Sequence, residues 1–482
     1  MKLIDISKVF SVRRPFVFGV ILISVSSAAC GINSESDALK VFRNLRELTL
    51  SRSPEVKLAI SNFEQRTSAH HTAWTRWAPR VDLRLSDTVN KDYSLLTSGS
   101  FGSLGNAFAF TPTQVELKAY ELVMQVPIFN RSVELGILRS NADLELAKTQ
   151  MKLAKDRVSW SLRQVFGEYL LQMYRLSTID RSMKLAASNL QEAQVRFRLG
   201  SRTVIDILKA QAQEAQLQAR KVTYESDRSQ AMSRLMETAG LTADDLIKAG
   251  LPSVTSEELK LAASIESFAD AKSSAAEIRK YPTDHERLAR TLESLVQTES
   301  SSFSEILLRS RLENLQAKSI VASEWPELFL RGTLGKQTGQ WSDTFSSNLT
   351  SYSYGLVLNI PLFSFGSSFS LGREASGLIV SSEIRRQQST QSLVNNVLNL
   401  ILRGQALVKT TESLKFGVDK NNEIERLTLR SYQLGKETFL DLQIAQNDVV
   451  ESKIQLAQAQ IEMAVLIWQI KWNLGSVNEE VL

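Results

Sequence analysis

The sequence predicts a mainly α-helical chain with a membrane β-barrel portion, made of two tandem copies of one unit. Three observations carry this: a long-period repeat, two proline-free stretches rich in helix formers, and four segments alternating at period two. The repeat fixes the architecture first. Phe197-Arg198-Leu199-Gly200-Ser201-Arg202-Thr203-Val204-Ile205-Asp206 returns 235 positions later as Tyr432-Gln433-Leu434-Gly435-Lys436-Glu437-Thr438-Phe439-Leu440-Asp441, and Ala210-Gln211 and Ala445-Gln446 continue the register. Self-similarity at such a period marks a structural unit written twice. Val123-Met124-Gln125-Val126-Pro127-Ile128-Phe129 matches Val357-Leu358-Asn359-Ile360-Pro361-Leu362-Phe363 at 234, and Pro79 matches Pro326 at 247. A weaker pair, Ser53-Pro54 and Tyr281-Pro282, stands 228 apart.

The helices come next. No proline occurs between Pro127 and Pro252 or after Pro361, and both stretches are rich in Ala, Leu, Gln, Arg, Lys and Glu, which favour helix. Leu144, Met151, Val158 and Val165 recur every seven residues, with Leu162 and Tyr169 in an adjacent row. That is the seam of helices packed side by side over a long distance. A helix from about 135 to 199 would be about 95 Å long, more than an ordinary globular domain uses. Gly200 and Gly435 interrupt the pattern, which then resumes at once. Each glycine therefore marks the bend of a helical hairpin. Thr203 with Asp206, and Thr438 with Asp441, have the spacing of an N-terminal capping box opening the next helix.

The strands lie between the helical stretches. Val81, Leu83 and Leu85 alternate with Asp82, Arg84 and Ser86; Tyr120, Leu122, Met124 and Val126 alternate with Glu121, Val123 and Gln125. In the second copy Leu328 and Leu330 flank Phe329, and Tyr352, Tyr354, Leu356, Leu358 and Ile360 alternate with Ser353, Gly355, Val357 and Asn359. This is the pattern of membrane barrels, apolar outward and polar inward, with aromatic ends suited to the lipid boundary. Pro127 and Pro361 are expected where strand turns into helix, since proline cannot donate to a ladder but suits a helix start.

The division that follows is a signal peptide over 1–29 and a first repeat over 30–247. That repeat holds strands at about 80–86 and 117–126 and a hairpin at about 135–240 turning at Gly200. A connector over 248–282, expected as helical pieces wrapped outside the hairpins, leads to a second repeat over 283–475. Its strands are placed at about 327–334 and 351–360, its hairpin at about 368–475 turning at Gly435, with a tail over 476–482. Four strands cannot close a barrel, because single-chain membrane barrels begin at eight, and an open sheet in lipid leaves edge amides unsatisfied at several kcal/mol each. The chain must pool strands with its own copies. Two, three or four copies all satisfy this requirement.

Bulk properties narrow the partners. The formal charge is +5, and Lys2, Lys8, Arg13 and Arg14 against Asp5 supply +3 of it within residues 1–29. The near-balanced remainder argues against nucleic acid. The basic start, the apolar run Phe16–Ile23 and the small residues Ser26-Ser27-Ala28-Ala29 read as an export signal. Arg13-Arg14 also fits a twin-arginine signal, although two basic residues are the ordinary case. Cys30, the single cysteine, follows at once. Two readings stand: a lipidation site in Ser27-Ala28-Ala29-Cys30, where a Leu is usual at Ser27, or ordinary cleavage with Cys30 incidental. His70, His71 and His285 lack metal-site spacing, phosphate-cradling glycine loops are absent, and nothing points to catalysis. No metal or cofactor is expected, and energy for any transport must come from a partner.

The two Leu-Gly-x-x-Thr-x-x-Asp-x-x-x-Ala-Gln hairpins and the strand ends Val126-Pro127-Ile128-Phe129 and Ile360-Pro361-Leu362-Phe363 resemble the TolC-like outer-membrane efflux protein family, over about residues 40–475. The resemblance implies a homotrimer with a twelve-stranded barrel in outer-membrane lipid and a twelve-helix periplasmic α-barrel in a Gram-negative cell. It implies a passive exit duct of a tripartite efflux or type I secretion system. The implied partners are a periplasmic adaptor (membrane fusion) protein and an inner-membrane pump of RND, ABC or MFS type. A lipid-anchored periplasmic coiled-coil protein without a pore is the alternative.

By the same resemblance Leu199, Gly200, Ser201, Leu434, Gly435 and Lys436 match the tips that dock the adaptor, although a glycine turn alone would also explain them. Asp206 and Asp441 match positions near the periplasmic constriction, where an acidic ring narrows the entrance; as capping carboxylates they need no such role. Ile444 stands where a second acidic position is expected, and Glu437 where a basic bridge is expected. Tyr432 matches a bridging aromatic, but Phe197 in the other copy lacks the hydroxyl, which favours packing for both. Arg202 and Glu437 are opposite charges at equivalent positions and would pair if the hairpins alternate around the ring.

Overall fold

The computed structural model of the chain describes residues 37–92, 113–200, 203–251, 271–338, 351–362 and 365–475. In chain order the elements are α1 (Asp37–Arg52), α2 (Pro54–Thr75), β1 (Arg80–Asp92), β2 (Thr113–Phe129), α3 (Arg131–Arg198), α4 (Val204–Ala239) and α5 (Ala243–Lys248). They are followed by α6 (Ala271–Arg279), α7 (His285–Glu299), α8 (Ser301–Val321), a 3-10 turn (Ala322–Glu324), β3 (Glu327–Thr338), β4 (Ser351–Asn359), α9 (Ser367–Gln433) and α10 (Phe439–Leu474).

The four strands form one antiparallel sheet in the order β1-β2-β3-β4. The strands outrun the lengths read from alternation: β1 continues to Asp92, β2 starts at Thr113 and β3 ends at Thr338. The register places all the apolar alternating positions on one face. Leu83 opposes Leu122, Leu122 opposes Leu334, and Leu334 opposes Tyr352. On the other face Asp82 opposes Val123, Val123 opposes Thr333, and Thr333 opposes Ser353, with a 2.7 Å hydroxyl contact between the last two. Every residue of β4 is exposed. Among the described residues no further strand covers the outer edge of β1 or β4.

Pro127 is not at the strand-to-helix junction. It lies inside β2, at a shift in register against β3 between Pro127 and Phe129, the kind of bulge that tolerates a residue without an amide hydrogen. The helix start belongs to Asn130, whose side chain accepts from the Val133 amide at 3.1 Å. Pro361 follows the end of β4, and Gly366, with φ +84, precedes α9.

Helices α3 and α9, of 68 and 67 residues, extend about 100 Å each. Each folds back on a 36-residue partner, α4 or α10. Near the sheet, α2 packs on α3, α3 on α8 and α8 on α9, so the helix layer repeats the strand order. Two apolar clusters hold the midsection. In one, Phe42 and Leu45 of α1 and Leu246 of α5 pack on Leu162, Phe166 and Leu235 of the first hairpin. In the other, Ile278 of α6 and Leu288, Leu292 and Val296 of α7 pack on Val397, Ile401 and Leu466 of the second. Both α5 and α6, at the ends of the connector, thus lie against the hairpins.

Sequence patterning alone missed α1, α2, α7 and α8. Their start signals were nevertheless present: Pro54 opens α2, and the Asp284 side chain accepts from the Glu286 amide at 3.4 Å to open α7.

Candidate functional site

The residues singled out in the repeat gather at the far end of the helical hairpins from the sheet. Helix α3 ends at Leu199 and Gly200, α9 at Leu434 and Gly435. Gly200 has φ +73 and donates to the Phe197 carbonyl at 2.9 Å; Gly435 has φ +77 and donates to the Tyr432 carbonyl at 3.0 Å. A Cβ on either would meet nothing within 4 Å. The backbone, not packing, therefore demands glycine here. Leu199 is 75% exposed and Leu434 67%, so each tip offers a large apolar side chain to the surroundings. Lys436 and Glu437 are exposed beside them.

The two turns differ in how they restart. Thr438 and Asp441 form a complete capping box: the Asp441 amide donates to Thr438 Oγ1 at 3.2 Å, and the Thr438 amide donates to Asp441 Oδ2 at 3.0 Å. The Thr438 hydroxyl donates to the same carboxylate at 2.5 Å. In the first copy the equivalent box is not formed. Thr203 makes no side-chain cap, and the Asp206 amide donates to the Thr203 backbone carbonyl at 3.1 Å. Spacing permits the box, but side-chain geometry decides it. The hydrogen bond from the Thr438 hydroxyl, followed by that from its amide, holds the Asp441 carboxyl below its usual range, with Lys209 across the hairpin junction adding to this.

Tyr432 is 2% exposed. It packs with Ala210, Phe439 and Leu442 in a small apolar cluster that locks the two hairpins together, meeting the Phe439 ring edge-on at 6.0 Å. Arg196 of α3 lies over the Tyr432 ring at 5.6 Å. Farther from the tip the junction becomes polar. Asn189 donates to Gln446 at 3.2 Å and Gln213 to Asn447 at 3.3 Å, while Gln443 bonds back to Gln213. This amide ladder was missed by sequence reasoning, because Gln and Asn on a helix face read as solvated surface. Beside it, a cleft of about 140 Å³ is lined by Tyr174, Arg181, Gln213, Asn447, Glu425 and Lys453. Burial pushes the Glu425 carboxyl up, against the pull of Lys453.

Cys30, Ser201 and Arg202 lie outside the described residues, as do the segments 1–36 and 476–482 and most of the connector. Among the described residues no cluster of His, Cys, Asp or Glu could hold a metal ion. No described helix is long and apolar enough to cross a membrane.

Residues 292–465, most of the second repeat, match the outer membrane efflux protein family. The full fold aligns with the Campylobacter jejuni CmeC outer membrane channel at a TM-score of 0.70, covering 94% of this chain and 90% of that one at 12% identity. The chain is similar to the outer membrane efflux protein family over its second repeat and has the fold of the TolC-like channels. The outer membrane protein VceC of Vibrio cholerae also aligns at 0.70, with 15% identity over 92% of this chain and 98% of that one. The open-state MtrE outer membrane channel of Neisseria gonorrhoeae aligns at 0.62, with 15% identity and 93% and 94% coverage. Nodulation protein T of Rhizobium leguminosarum bv. trifolii is 26% identical over 155 residues, which are 32% of this chain. The match spans about a third, 33%, of that curated relative.

Proposed function

We propose that three copies of this TolC-like chain pool their sheets into a twelve-stranded outer-membrane barrel, continued by a tunnel of helical hairpins. The assembly serves as the passive exit duct of a tripartite efflux or type I secretion system. One observation carries this reading. The four-stranded sheet is apolar on one face from β1 to β4, polar on the other, and open at both edges among the described residues. In lipid such a sheet is stable only when its edges find strands, and a barrel does this by closing on itself. The polar face then lines the bore and the apolar face meets hydrocarbon. A head-to-tail pairing of β4 with the β1 of a neighbour forms a ring when the rotation closes.

Energy enters from outside the duct, from an inner-membrane pump reached through a periplasmic adaptor. The exposed Leu199 and Leu434 tips are the adaptor contact, and Gly200, Ser201, Gly435 and Lys436 shape them. Asp206 and Asp441, one turn inside the tips, face the entrance and favour cations there. Around the ring Arg202 and Glu437 pair between neighbouring hairpins. Exported cargo is small molecules or proteins.

Planar-bilayer conductance of the detergent-purified protein, together with its gel mobility before and after heating, tests the proposal. Stepwise ion conductance and a heat-sensitive oligomer band are expected. A chain that neither conducts nor shifts would overturn the duct.

A further inference from the structure

The internal repeat carries information about the neighbour that a single copy cannot display. Within the chain, the first turn of α3, from repeat one, seats against the end of α8, from repeat two. Leu135 is 2% exposed, the Arg131 guanidinium stands 5.6 Å from the Trp325 ring centre, and both line one cleft with Ala317 and Val321. Each partner has an equivalent in the other repeat. Phe365 and Phe369 follow Arg131 and Leu135 by 234 positions, the spacing that relates Val123 of β2 to Val357 of β4. His70 and Trp74 precede Ala317 and Val321 by 247, the spacing that relates Pro79, before β1, to Pro326, before β3.

These equivalents do not meet inside the chain. Phe369 lies on α9 with Phe365 in the turn just before it, and His70 and Trp74 lie on α2, so the two sets sit on the two outer flanks of the helix layer. Phe365 is 94% exposed and Phe369 70%, where Leu135 is buried. On the opposite flank Trp74 is 57% exposed beside an apolar groove of about 260 Å³, lined by His70, Trp74, Trp77, Ile137 and Leu138. That is room for a side chain or two and falls short of an ordinary small-molecule site.

We propose that Phe365 and Phe369 of one copy occupy the Trp74 groove of the next copy, repeating between molecules the contact that Arg131 and Leu135 make within one. The inference rests on the pooled-strand reading above and names its seam. Topology supports it. Helix α2 runs into β1 and α9 runs out of β4, so antiparallel pairing of β4 with the neighbour's β1 brings these two ends together. The same transfer gives a register. Met124 opposes Gly332 within the chain, which places Leu358 of one copy opposite Leu85 of the next. Both belong to the apolar face. A two-residue slip would keep every side chain on its own face, so the edges alone do not fix the pairing. An aromatic wedge at the base of the barrel does.

Cysteine pairs with a short bismaleimide separate the two layers of the claim, and the parent chain, with Cys30 alone, is the baseline. In outer membranes the seam variant, Trp74→Cys with Phe369→Cys, and the edge variant, Leu85→Cys with Leu358→Cys, are each expected to give dimer and trimer ladders on denaturing gels. The four single variants are expected to give none. An edge ladder without a seam ladder would overturn the wedge while leaving the ring intact, and would assign the phenylalanines to the lipid boundary. Absence of both would overturn the ring itself. Replacing Phe365 and Phe369 with Ser is also expected to lower the temperature at which the oligomer dissociates by several degrees. An unchanged dissociation temperature counts against the wedge independently of cross-linker geometry.

Discussion

The guanidinium of Arg196, on the first hairpin, stands over the ring of Tyr432, on the second, 5.6 Å from its centre. It also pairs with Glu192 at 2.5 Å and donates to the Gln433 carbonyl at 3.4 Å. One side chain therefore ties the two repeats together just inside their tips. A cation over an aromatic ring contributes about 0.5–2 kcal/mol, depending on desolvation. Arg196→Ala is predicted to cost about 1 kcal/mol of thermal stability and to lengthen open dwell times in bilayer recordings. Unaltered dwell times would show that this tie does not restrain the entrance.

The two capping sequences predict an asymmetry between the copies. Thr438→Ala removes a formed capping box and should cost about 1 kcal/mol. Thr203→Ala, at the equivalent place, removes no cap bond and should change little. Hydrogen exchange of the first turns of α10 and α4 reads the difference, and equal effects would contradict it.

Acid should loosen the second tip first. The Thr438 hydrogen bonds hold the Asp441 carboxyl below its ordinary range, so the folded state binds this proton more weakly than the unfolded state. The stabilisation is complete above the unfolded value near pH 4 and is lost as pH falls through the lower folded value. Protection at the start of α10 should therefore fall on acidification below about pH 4 in the parent. In Asp441→Asn it should show no such step.

Leu199 and Leu434 test adaptor docking apart from folding. Because both are exposed, Leu199→Asp with Leu434→Asp should leave thermal stability within about 0.5 kcal/mol and bilayer conductance unchanged. In cells the same variant should lose cross-linking to the periplasmic adaptor. Undiminished cross-linking would leave the tips as turns and nothing more.

Gly335 opposes Glu121 in the β2–β3 ladder, and a Cβ there would stand 2.4 Å from the Tyr120 carbonyl oxygen. The obstacle is backbone, which cannot swing aside. Gly335→Ala is predicted to lower stability by about 1–3 kcal/mol, seen as a lower dissociation temperature of the heat-sensitive oligomer. Gly355→Ala, with nothing within 4 Å, is the matched control.

What the sequence disclosed, and what it hid, follows from which forces are local. The turns at Gly200 and Gly435 were legible because a left-handed residue is needed there whatever surrounds it. The strand faces were legible because alternation alone assigns apolar and polar side chains to opposite faces of a strand. Strand ends were not: Asn90 to Asp92 stay in the ladder by pairing with Val115 to Thr113, a tertiary fact without an apolar signature. Pro127 misled for the same reason, since a bulge against β3 accommodates it. Identical Thr and Asp spacing concealed that only Thr438 closes its box. The Asn189–Gln446 and Gln213–Asn447 bonds depend on the register between hairpins, which no single helix pattern encodes.

The mass of the detergent-extracted particle, measured by native mass spectrometry, tests the central claim most directly. Three copies held together in detergent is the predicted result. A single chain that stays dissolved in detergent-free buffer would contradict it, because an open four-stranded sheet with one apolar face has no stable place in water alone.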